Sequence, residues 1–245
     1  MWNEEETMER DYLIAGLRVR MNTWGRTEAQ AEPYLTETAG EADIVITSHP
    51  GILREKINHL SIEECEYLSS GGNFYRQLMQ FDGMLLHSSA VVMDGYAYMF
   101  TAPCGTGKST HTTMWRQVFG NDRVLMLNDD KPALRLENGQ WFAYGTPWSG
   151  KTAQNINMRV PVGGICVLTR GETNEIAPFG GTQAALAIME QTARPVTMEG
   201  RGKMLELIDN LLNNVPVWKL KCTPTPDAAL VSQKTMSEEA KKRFG

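Results

Sequence analysis

The chain of 245 residues lacks the features that mark zinc-binding, disulfide-linked or membrane-spanning proteins. Its four cysteines are widely spaced and form no CxxC pair or Cys/His group, so neither a zinc site nor a disulfide framework is indicated. No apolar run approaches the roughly eighteen residues of a membrane span, and the acidic start lacks the order of a secretory signal. These absences predict a soluble, cytoplasmic protein.

The chain also lacks an excess of positive charge. Its 24 Lys and Arg residues face 29 Asp and Glu residues, which gives a formal net charge of -5. Because nucleic acids and anionic membranes attract basic surfaces, we expect neither as a partner. There is no internal repeat or low-complexity tract, so residues 1–245 are predicted to form one domain, in which residues 1–75 are either an integral part or a small N-terminal lobe.

What the sequence does contain is a phosphate-loop motif. The predicted nucleotide-binding residues are Ala102, Pro103, Cys104, Gly105, Thr106, Gly107, Lys108, Ser109 and Thr110. Glycines at 105 and 107 let successive backbone N–H groups turn toward an anion. Lys108 would supply positive charge to the β- and γ-phosphates, and the Ser109 hydroxyl would bind Mg²⁺. The motif therefore predicts binding of ATP, or another nucleoside triphosphate, with Mg²⁺.

One position departs from the usual motif, because Ala102 stands where a glycine is common. Alanine is tolerable there if its backbone angles are ordinary. A coincidental glycine turn is the alternative, so the context must be a strand, the loop and then a helix. Residues 96–101 are typical of a strand, and residues 110–119 can continue a helix that stops at Gly120. The context favours a true phosphate loop.

Two antiparallel hairpins are predicted around the loop. Asp94-Gly95 separates the apolar runs Ser88–Met93 and Tyr96–Thr101, and this dipeptide favours a two-residue hairpin turn. Asn138-Gly139 has the same property, between residues 133–136 and 141–144. An antiparallel hairpin that leads into a phosphate loop implies a mixed sheet.

An acidic pair follows the loop by about twenty residues. The apolar run Val124–Leu127 is typical of a buried strand and leads directly into Asp129 and Asp130. Adjacent residues of a strand face opposite sides unless the strand ends there, so we expect the two carboxylates to have different roles. The alternative is that one of them merely caps the turn before Lys131.

This arrangement resembles the catalytic domain of HPr kinase/phosphorylase. The resemblance rests on His87, the hairpin, the loop that begins fifteen residues after that histidine, and the strand that runs into Asp129-Asp130. It covers residues 84–130 and extends more loosely to Leu220. It implies a phosphoenolpyruvate carboxykinase-like fold of the α/β class, with a mixed β-sheet, a P-loop preceded by an antiparallel hairpin, and helices packed on the sheet.

The resemblance also implies a reaction. Similar proteins are ATP-dependent kinases that transfer the γ-phosphoryl group to a hydroxyl, here on a serine of a protein or peptide or on free serine. By similarity, one aspartate accepts the hydroxyl proton and the other holds Mg²⁺. We assign Asp129 as the base and Asp130, with Ser109, as the metal partner, and the order stays open. His87 would orient the base or a phosphate oxygen, unless it is a structural histidine. Related kinases are often oligomers, which makes a homo-oligomer an implied state.

Two departures from that family bear on activity. Thr110 follows the loop serine where HPr kinases have an acidic residue, and Tyr144 stands where they carry an arginine. Phosphoryl transfer needs fixed positive charge, and Lys151 is the catalytic candidate to supply it, the alternative being a solvated surface lysine. Further candidates are Arg159, Arg194 and Arg201. The substitutions at 102 and 144 keep a second hypothesis open, which is a nucleotide-binding regulatory module without transfer activity.

The rest of the chain is predicted from propensity and turn signals. Further strands are predicted at residues 13–21, 42–47, 163–169 and 217–221, and further helices at residues 182–192 and 202–213. Ile62–Leu68 is predicted as a helix that Ser69–Gly72 breaks, after which Asn73 caps a second helix at Phe74–Phe81. The segment Ser237–Arg243 is predicted as a charged helix or frayed tail that serves solvation.

Overall fold

The computed structural model describes residues 9–38 and 40–245. Within them the strands are β1 (Arg10–Ile14), β2 (Leu17–Met21), β3 (Ile44–Ile46), β4 (Gly83–Leu85), β5 (Ser88–Met93), β6 (Tyr96–Thr101), β7 (Leu125–Asn128), β8 (Ala133–Glu137), β9 (Gln140–Tyr144), β10 (Arg159–Arg170), β11 (Glu175–Pro178) and β12 (Val217–Cys222). The helices are α1 (Gly25–Ala31), α2 (Pro50–Lys56), α3 (Ile62–Leu78), α4 (Lys108–Phe119), α5 (Gly181–Glu190), α6 (Met198–Asn214) and α7 (Pro226–Phe244).

Nine strands form a curled mixed sheet around β10. The sheet runs β4-β8-β9-β10-β6-β5-β7. Off this path, β12 pairs with β10 on one side and with β11 on the other. The start of β10 pairs antiparallel with β9, while its remainder pairs parallel with β6 and β12. The parallel pairing of β10 with β6 is itself interrupted by a register shift between Val162 and Gly164. The predicted α/β class with a mixed sheet is thereby confirmed.

Helices cover both faces of this sheet, as predicted. Along β5, Ala90 and Val92 pack into the core that α5 and α6 close, whereas Val91 and Met93 pack into the core under α4 and α7. Strand β10 alternates in the same way. Because successive strand residues point to opposite faces, an unbroken apolar run is what a sheet covered on both sides requires.

Both predicted hairpin turns are present. Asp94 and Gly95 have φ of 52° and 85°, and Asn138 and Gly139 have φ of 51° and 81°. Positive φ at both central residues is the property of the type I′ turn, which Asp-Gly and Asn-Gly adopt readily. The first turn joins β5 to β6, whose bounds are those predicted, and β6 delivers the chain to the phosphate loop.

The N-terminal region forms a three-stranded sheet in the order β1-β2-β3. The prediction of one strand at residues 13–21 was wrong, because the chain turns at Ala15 and Gly16, which have φ of 52° and 73°. Alanine rarely adopts positive φ, so the sequence carries no strong turn signal there. This sheet, α3 and residues of β8 and β9 share one apolar core, in which Phe74 stacks on Trp148 at a ring-centroid distance of 4.9 Å.

The predicted break in α3 was also wrong. The helix runs without interruption through Gly71 and Gly72. A Cβ added at Gly71 would lie 2.9 Å from Cδ1 of Trp148, so this glycine permits close packing instead of ending the helix. Asn73 caps nothing and instead donates to the Thr47 carbonyl at 3.4 Å. Tertiary packing overrides the local helix-breaking tendency.

The C-terminal segment Ser237–Arg243 is helical, which is one of the two forms predicted for it, but the prediction that it only serves solvation was wrong. It belongs to α7, which buries small residues against α4. Ser232 lies at the centre of this contact. Its hydroxyl accepts a hydrogen bond from Trp115 Nε1 at 2.9 Å and contacts His111 Nε2 at 2.9 Å. Burial lowers the pKa of His111 to about 4, so this histidine is a neutral structural residue.

Candidate functional site

The loop between β6 and α4 contains two glycines with positive φ. Gly105 and Gly107 adopt φ of 76° and 121°, and a Cβ at either position would meet nothing within 4 Å. Conformation, and not crowding, therefore accounts for glycine at both positions. Ala102 is buried and is not among the residues with positive φ, so its angles are ordinary. No side chain caps the first turn of α4, and Ser109 and Thr110 are exposed there.

Two cations hold this loop. Lys108 Nζ donates to the Ala102 carbonyl at 2.9 Å, and Arg170, at the end of β10, donates to the Gly105 carbonyl at 2.5 Å. Burial lowers the pKa of Lys108, while the charges of nearby residues, among them both aspartates, oppose that change. The ammonium group is therefore inside the loop and within electrostatic range of the acidic pair. Arg170 was not anticipated from the sequence.

Asp129 is connected to the phosphate-loop helix. Its Oδ1 accepts a hydrogen bond from Ser89 Oγ at 2.6 Å, and its Oδ2 accepts one from Thr152 Oγ1 at 3.0 Å. Ser89 Oγ also lies 2.7 Å from Oγ1 of Thr112, one turn beyond Lys108 in α4. The carboxylate thus has two hydroxyl donors and no cation in direct contact among the described residues.

Asp130 has different partners from Asp129, although β7 ends at Asn128 and strand alternation therefore does not account for the difference. His87 Nε2 lies 3.1 Å from Oδ1, while Oδ2 accepts from Lys131 Nζ and, at 3.3 Å, from Tyr67 OH. Burial alone would raise the pKa of Asp130, but the hydrogen bond from His87 and the charge of Lys131 outweigh burial and hold that pKa far below its usual range. The lowered pKa favours the ionised form of Asp130.

The turn after β7 is capped by Asn128. Its Oδ1 accepts from the backbone N–H groups of Asp130 and Lys131 at 2.9 and 2.8 Å. Because Asn128 makes this Asx-type contact, neither aspartate side chain is needed to cap the turn. The alternative interpretation of the acidic pair, as a turn cap, has no support in these contacts.

His87 is fixed from both sides. Its Nδ1 lies 3.1 Å from Gln191 Oε1, and its backbone N–H donates to the Gln191 carbonyl at 2.7 Å. Thr101, the last residue of β6, donates to the His87 carbonyl at 2.9 Å. The histidine predicted from spacing thus contacts Asp130 directly, on the side opposite Gln191.

The candidate cations are distributed unevenly. Lys151 is exposed and forms no hydrogen bond or ion pair with the described residues, although its neighbour Gly150 packs against Asp130. Arg159 instead pairs with Glu137 at 2.8 Å and contacts Tyr144 OH at 3.1 Å. The Tyr144 hydroxyl is therefore engaged with Glu137 and Arg159, away from the acidic pair. The cation in contact with the acidic pair is Lys131, which sequence reasoning did not single out.

The donor set fits a magnesium ion held mainly by a nucleotide. Across the described ranges, 9–38 and 40–245, no group of three or more His, Cys, Asp or Glu side chains is arranged to hold a metal. Mg²⁺ prefers oxygen ligands and commonly takes only one or two from protein, with phosphate and water supplying the rest. The exposed hydroxyl of Ser109 and the carboxylates of Asp129 and Asp130 are ligands of that kind. Separately, none of the described helices is both long enough and apolar enough to cross a bilayer.

The chain is similar to known proteins both in sequence and in structure. Residues 58–225 match the family described as SynChlorMet cassette protein ScmC. A solved structure of the Hpr(Ser) kinase/phosphatase from Coxiella burnetii is similar at a TM-score of 0.39 and 13% identity, with 66% of this chain and 99% of that chain covered. No curated protein matches the chain significantly.

The two matches differ in weight. A TM-score of 0.39 is too low to establish a shared fold, so the resemblance to HPr kinase stays a prediction. The match by sequence spans α3 to the end of β12, including the phosphate loop, the acidic pair and His87, and covers more than half of the chain. The chain belongs to the ScmC family of SynChlorMet cassette proteins.

Proposed function

We propose that this protein is a phosphotransferase that binds a nucleoside triphosphate with Mg²⁺ and transfers the γ-phosphoryl group to a hydroxyl. The observation that carries the proposal is the loop of residues 102–109, where two glycines with positive φ and an uncapped helix start surround a buried lysine near two aspartates. Backbone N–H groups, a helix dipole and an ammonium group together form a site for a polyphosphate. ATP is the nucleotide we expect.

The acceptor is proposed to be a serine hydroxyl of a protein, a peptide or the free amino acid. Its oxygen forms a bond to the γ-phosphorus, and the bond from that phosphorus to the β–γ bridging oxygen breaks. The electron pair leaves with the nucleoside diphosphate. The hydroxyl proton passes to a carboxylate. Mg²⁺, when bound, supplies positive charge to the phosphates.

Contacts within the acidic pair support Asp129 as the base. Asp130 contacts the Lys131 ammonium group and the His87 ring, and its lowered pKa makes it a poor proton acceptor. Asp129 receives only neutral hydroxyl donors, from Ser89 and Thr152. An acceptor hydroxyl would be one more donor of the same kind. Asp130 is the proposed metal partner together with Ser109.

The test separates binding from transfer. Calorimetry with Mg-ATP and Mg-GTP measures binding, and labelled γ-phosphate measures hydrolysis or transfer to serine, seryl peptides and candidate proteins. Lys108→Ala should abolish measurable binding. Asp129→Asn should retain binding within about threefold and lower turnover by about 10²- to 10⁴-fold, which is the usual contribution of a general base.

The exposed Asp122 provides a matched control, since Asp122→Asn removes the same charge outside the site. If wild-type protein binds no nucleotide, the proposed function is wrong. If it binds nucleotide but neither hydrolyses it nor transfers phosphate to any acceptor, the protein is a non-catalytic nucleotide-binding module. This is the second hypothesis, which rests on the residues at positions 102 and 144. Contacts of Tyr144 with Glu137 and Arg159 give that residue a structural role, which removes one argument for the module.

A further inference from the structure

We propose that Lys131 is the exchangeable cation of this site, and the proposal rests on the function proposed above. In this structure Lys131 is the counter-ion of Asp130. When Asp130 serves a divalent cation, Lys131 gives up that contact and supplies its charge to the transferred phosphoryl group. Lys131 thereby takes the place of the arginine that Tyr144 does not provide.

The backbone of Lys131 is fixed on both sides. Its N–H donates to Asn128 Oδ1 at 2.8 Å and to the Trp148 carbonyl at 3.1 Å. Its carbonyl accepts from Thr146 Oγ1 at 2.7 Å and from Tyr75 OH, both of which are buried. A residue held in this way cannot drift, so its side chain starts from a defined point beside the acidic pair.

The side chain, in contrast, has more than one available partner. Lys131 Nζ contacts Asp130 Oδ2, lies 3.4 Å from Tyr67 OH, and lies 4.7 Å from the centroid of the Tyr67 ring. The side chain is 22% exposed, and a lysine stem has several rotatable bonds. The ammonium group can therefore change partner without a movement of the backbone.

Competition for Asp130 provides the reason for the exchange. Its Oδ1 faces His87 and its Oδ2 faces Lys131, so a divalent cation at this carboxylate must share or displace a protein cation. Like charges repel, and lysine is the partner with the longer and more flexible stem. His87 stays in place because Gln191 also holds it.

The transferred phosphoryl group, for its part, requires positive charge close to it. Charge spreads over the γ-phosphoryl oxygens during transfer, and donors already positioned nearby stabilise it. Lys108, which contacts the Ala102 carbonyl, is already assigned to the phosphates at the loop, and Lys151 makes no contact with the acidic pair. Lys131 is the described lysine that reaches the pair directly.

The experiment compares Lys131→Met, which removes charge but keeps length, with Lys131→Arg and with the exposed control Lys234→Met. Binding of Mn²⁺ to nucleotide-free protein, followed by electron paramagnetic resonance, is measured first. We expect Lys131→Met to bind Mn²⁺ about tenfold more tightly, because the competing cation is gone. It should keep Mg-ATP affinity within about threefold and lose about 10²-fold in turnover, since one charge donor to the phosphoryl group is missing. Lys131→Arg should recover part of that turnover, and Lys234→Met should match wild type in all three measurements.

Each contrary result has a separate meaning. Unchanged or weaker Mn²⁺ binding by Lys131→Met overturns the exchange, and a structural role for the lysine would give that result. Full turnover by Lys131→Met, or a loss seen in Lys151→Met instead, overturns the transfer role. Failure of wild-type protein to bind or turn over nucleotide refutes the proposed function, whereas the Mn²⁺ comparison still tests the exchange at Asp130.

Discussion

Glu66 should make the stability of this protein depend on pH. The side chain lies in the middle of α3 with no solvent exposure, Oε2 accepts from Thr27 Oγ1, and Oε1 has no hydrogen-bond partner. Burial raises the pKa of Glu66 from 4.5 to about 7, although hydrogen bonds from Thr27 and Ser70 and the charge of Arg26 oppose the rise. The folded protein therefore retains this proton where the unfolded chain releases it.

The sign and size of the effect follow from proton linkage. Between pH 4.5 and about 7 the native state binds more protons at Glu66 than the unfolded state, so the free energy of unfolding falls as pH rises. Below this window the contribution is fully present, and above it the contribution is lost. At 1.36 kcal/mol per pH unit, the loss across the window is ~3 kcal/mol.

Urea denaturation at closely spaced pH values between 4.5 and 8.5 measures this effect, with wild type compared to Glu66→Gln. The amide keeps an oxygen for Thr27 but cannot ionise. The variant should therefore gain up to ~3 kcal/mol on wild type as pH rises through the window. Taking the difference between the two proteins removes the titration of all other groups. Exposed Glu55→Gln is the control and should give a difference that does not vary with pH. A flat difference for Glu66→Gln as well would refute the reasoning.

Three substitutions test the packing that supports the site, all by urea denaturation. Ser232→Ala removes the acceptor of Trp115 Nε1 inside the contact of α4 with α7, and a buried donor left unpaired should cost ~1–3 kcal/mol, whereas a loss below ~0.5 kcal/mol would contradict the role of that hydroxyl. Gly145→Ala would place a Cβ 1.9 Å from the Ile156 carbonyl oxygen, so we expect a loss above ~3 kcal/mol, and wild-type stability would show that the backbone there can yield. Gly72→Ala has open space around the new Cβ within α3 and should gain up to ~1 kcal/mol, and a loss would contradict the continuous helix.

Features that depend on a few adjacent residues could be predicted from the sequence. The hairpin turns at Asp94-Gly95 and Asn138-Gly139 require positive φ, and the dipeptides that tolerate it are few, so both turns and the bounds of β5 and β6 were predicted correctly. The loop of residues 102–107 is equally local, since Gly105 and Gly107 have positive φ, while its binding of phosphate stays a prediction. Ala102 is not among the residues with positive φ, which meets the condition for alanine at that position.

Features that depend on contacts between distant segments could not be predicted. Tyr67 meets Asp130 across 63 positions, and Gln191 meets His87 across 104, and no local pattern announces either pair. The broken-helix prediction failed likewise, because the space that Gly71 leaves is filled by Trp148, which lies far along the chain. One local signal was overlooked, which is the asparagine at position 128. An Asx turn there indicates that Asn128, and not an aspartate, caps the turn after β7.

The first half of helix α7 and its packing against α4 were not predicted, for a different reason. Its buried face consists largely of alanine and serine, with Ala228, Ser232, Met236 and Ala240 four residues apart. Small residues give little hydrophobic contrast, so the charged positions between them dominate the pattern that a sequence reader sees. The same small residues let α7 lie close to α4, where the Ser232 hydroxyl reaches Trp115 and His111.

The two adjacent aspartates are connected to different parts of the protein, and this division bears on how the site works. Asp129 is joined through Ser89 and Thr112 to the helix that follows the phosphate loop. Asp130 is joined through Tyr67 to α3, the helix that also contains Glu66. If Asp129 is the base, as proposed, proton transfer depends on the position of α4, because hydrogen bonds through Ser89 join Asp129 to that helix. Cation binding assigned to Asp130 depends instead on α3, so residues near the N-terminal sheet can alter metal affinity while the phosphate loop stays unchanged.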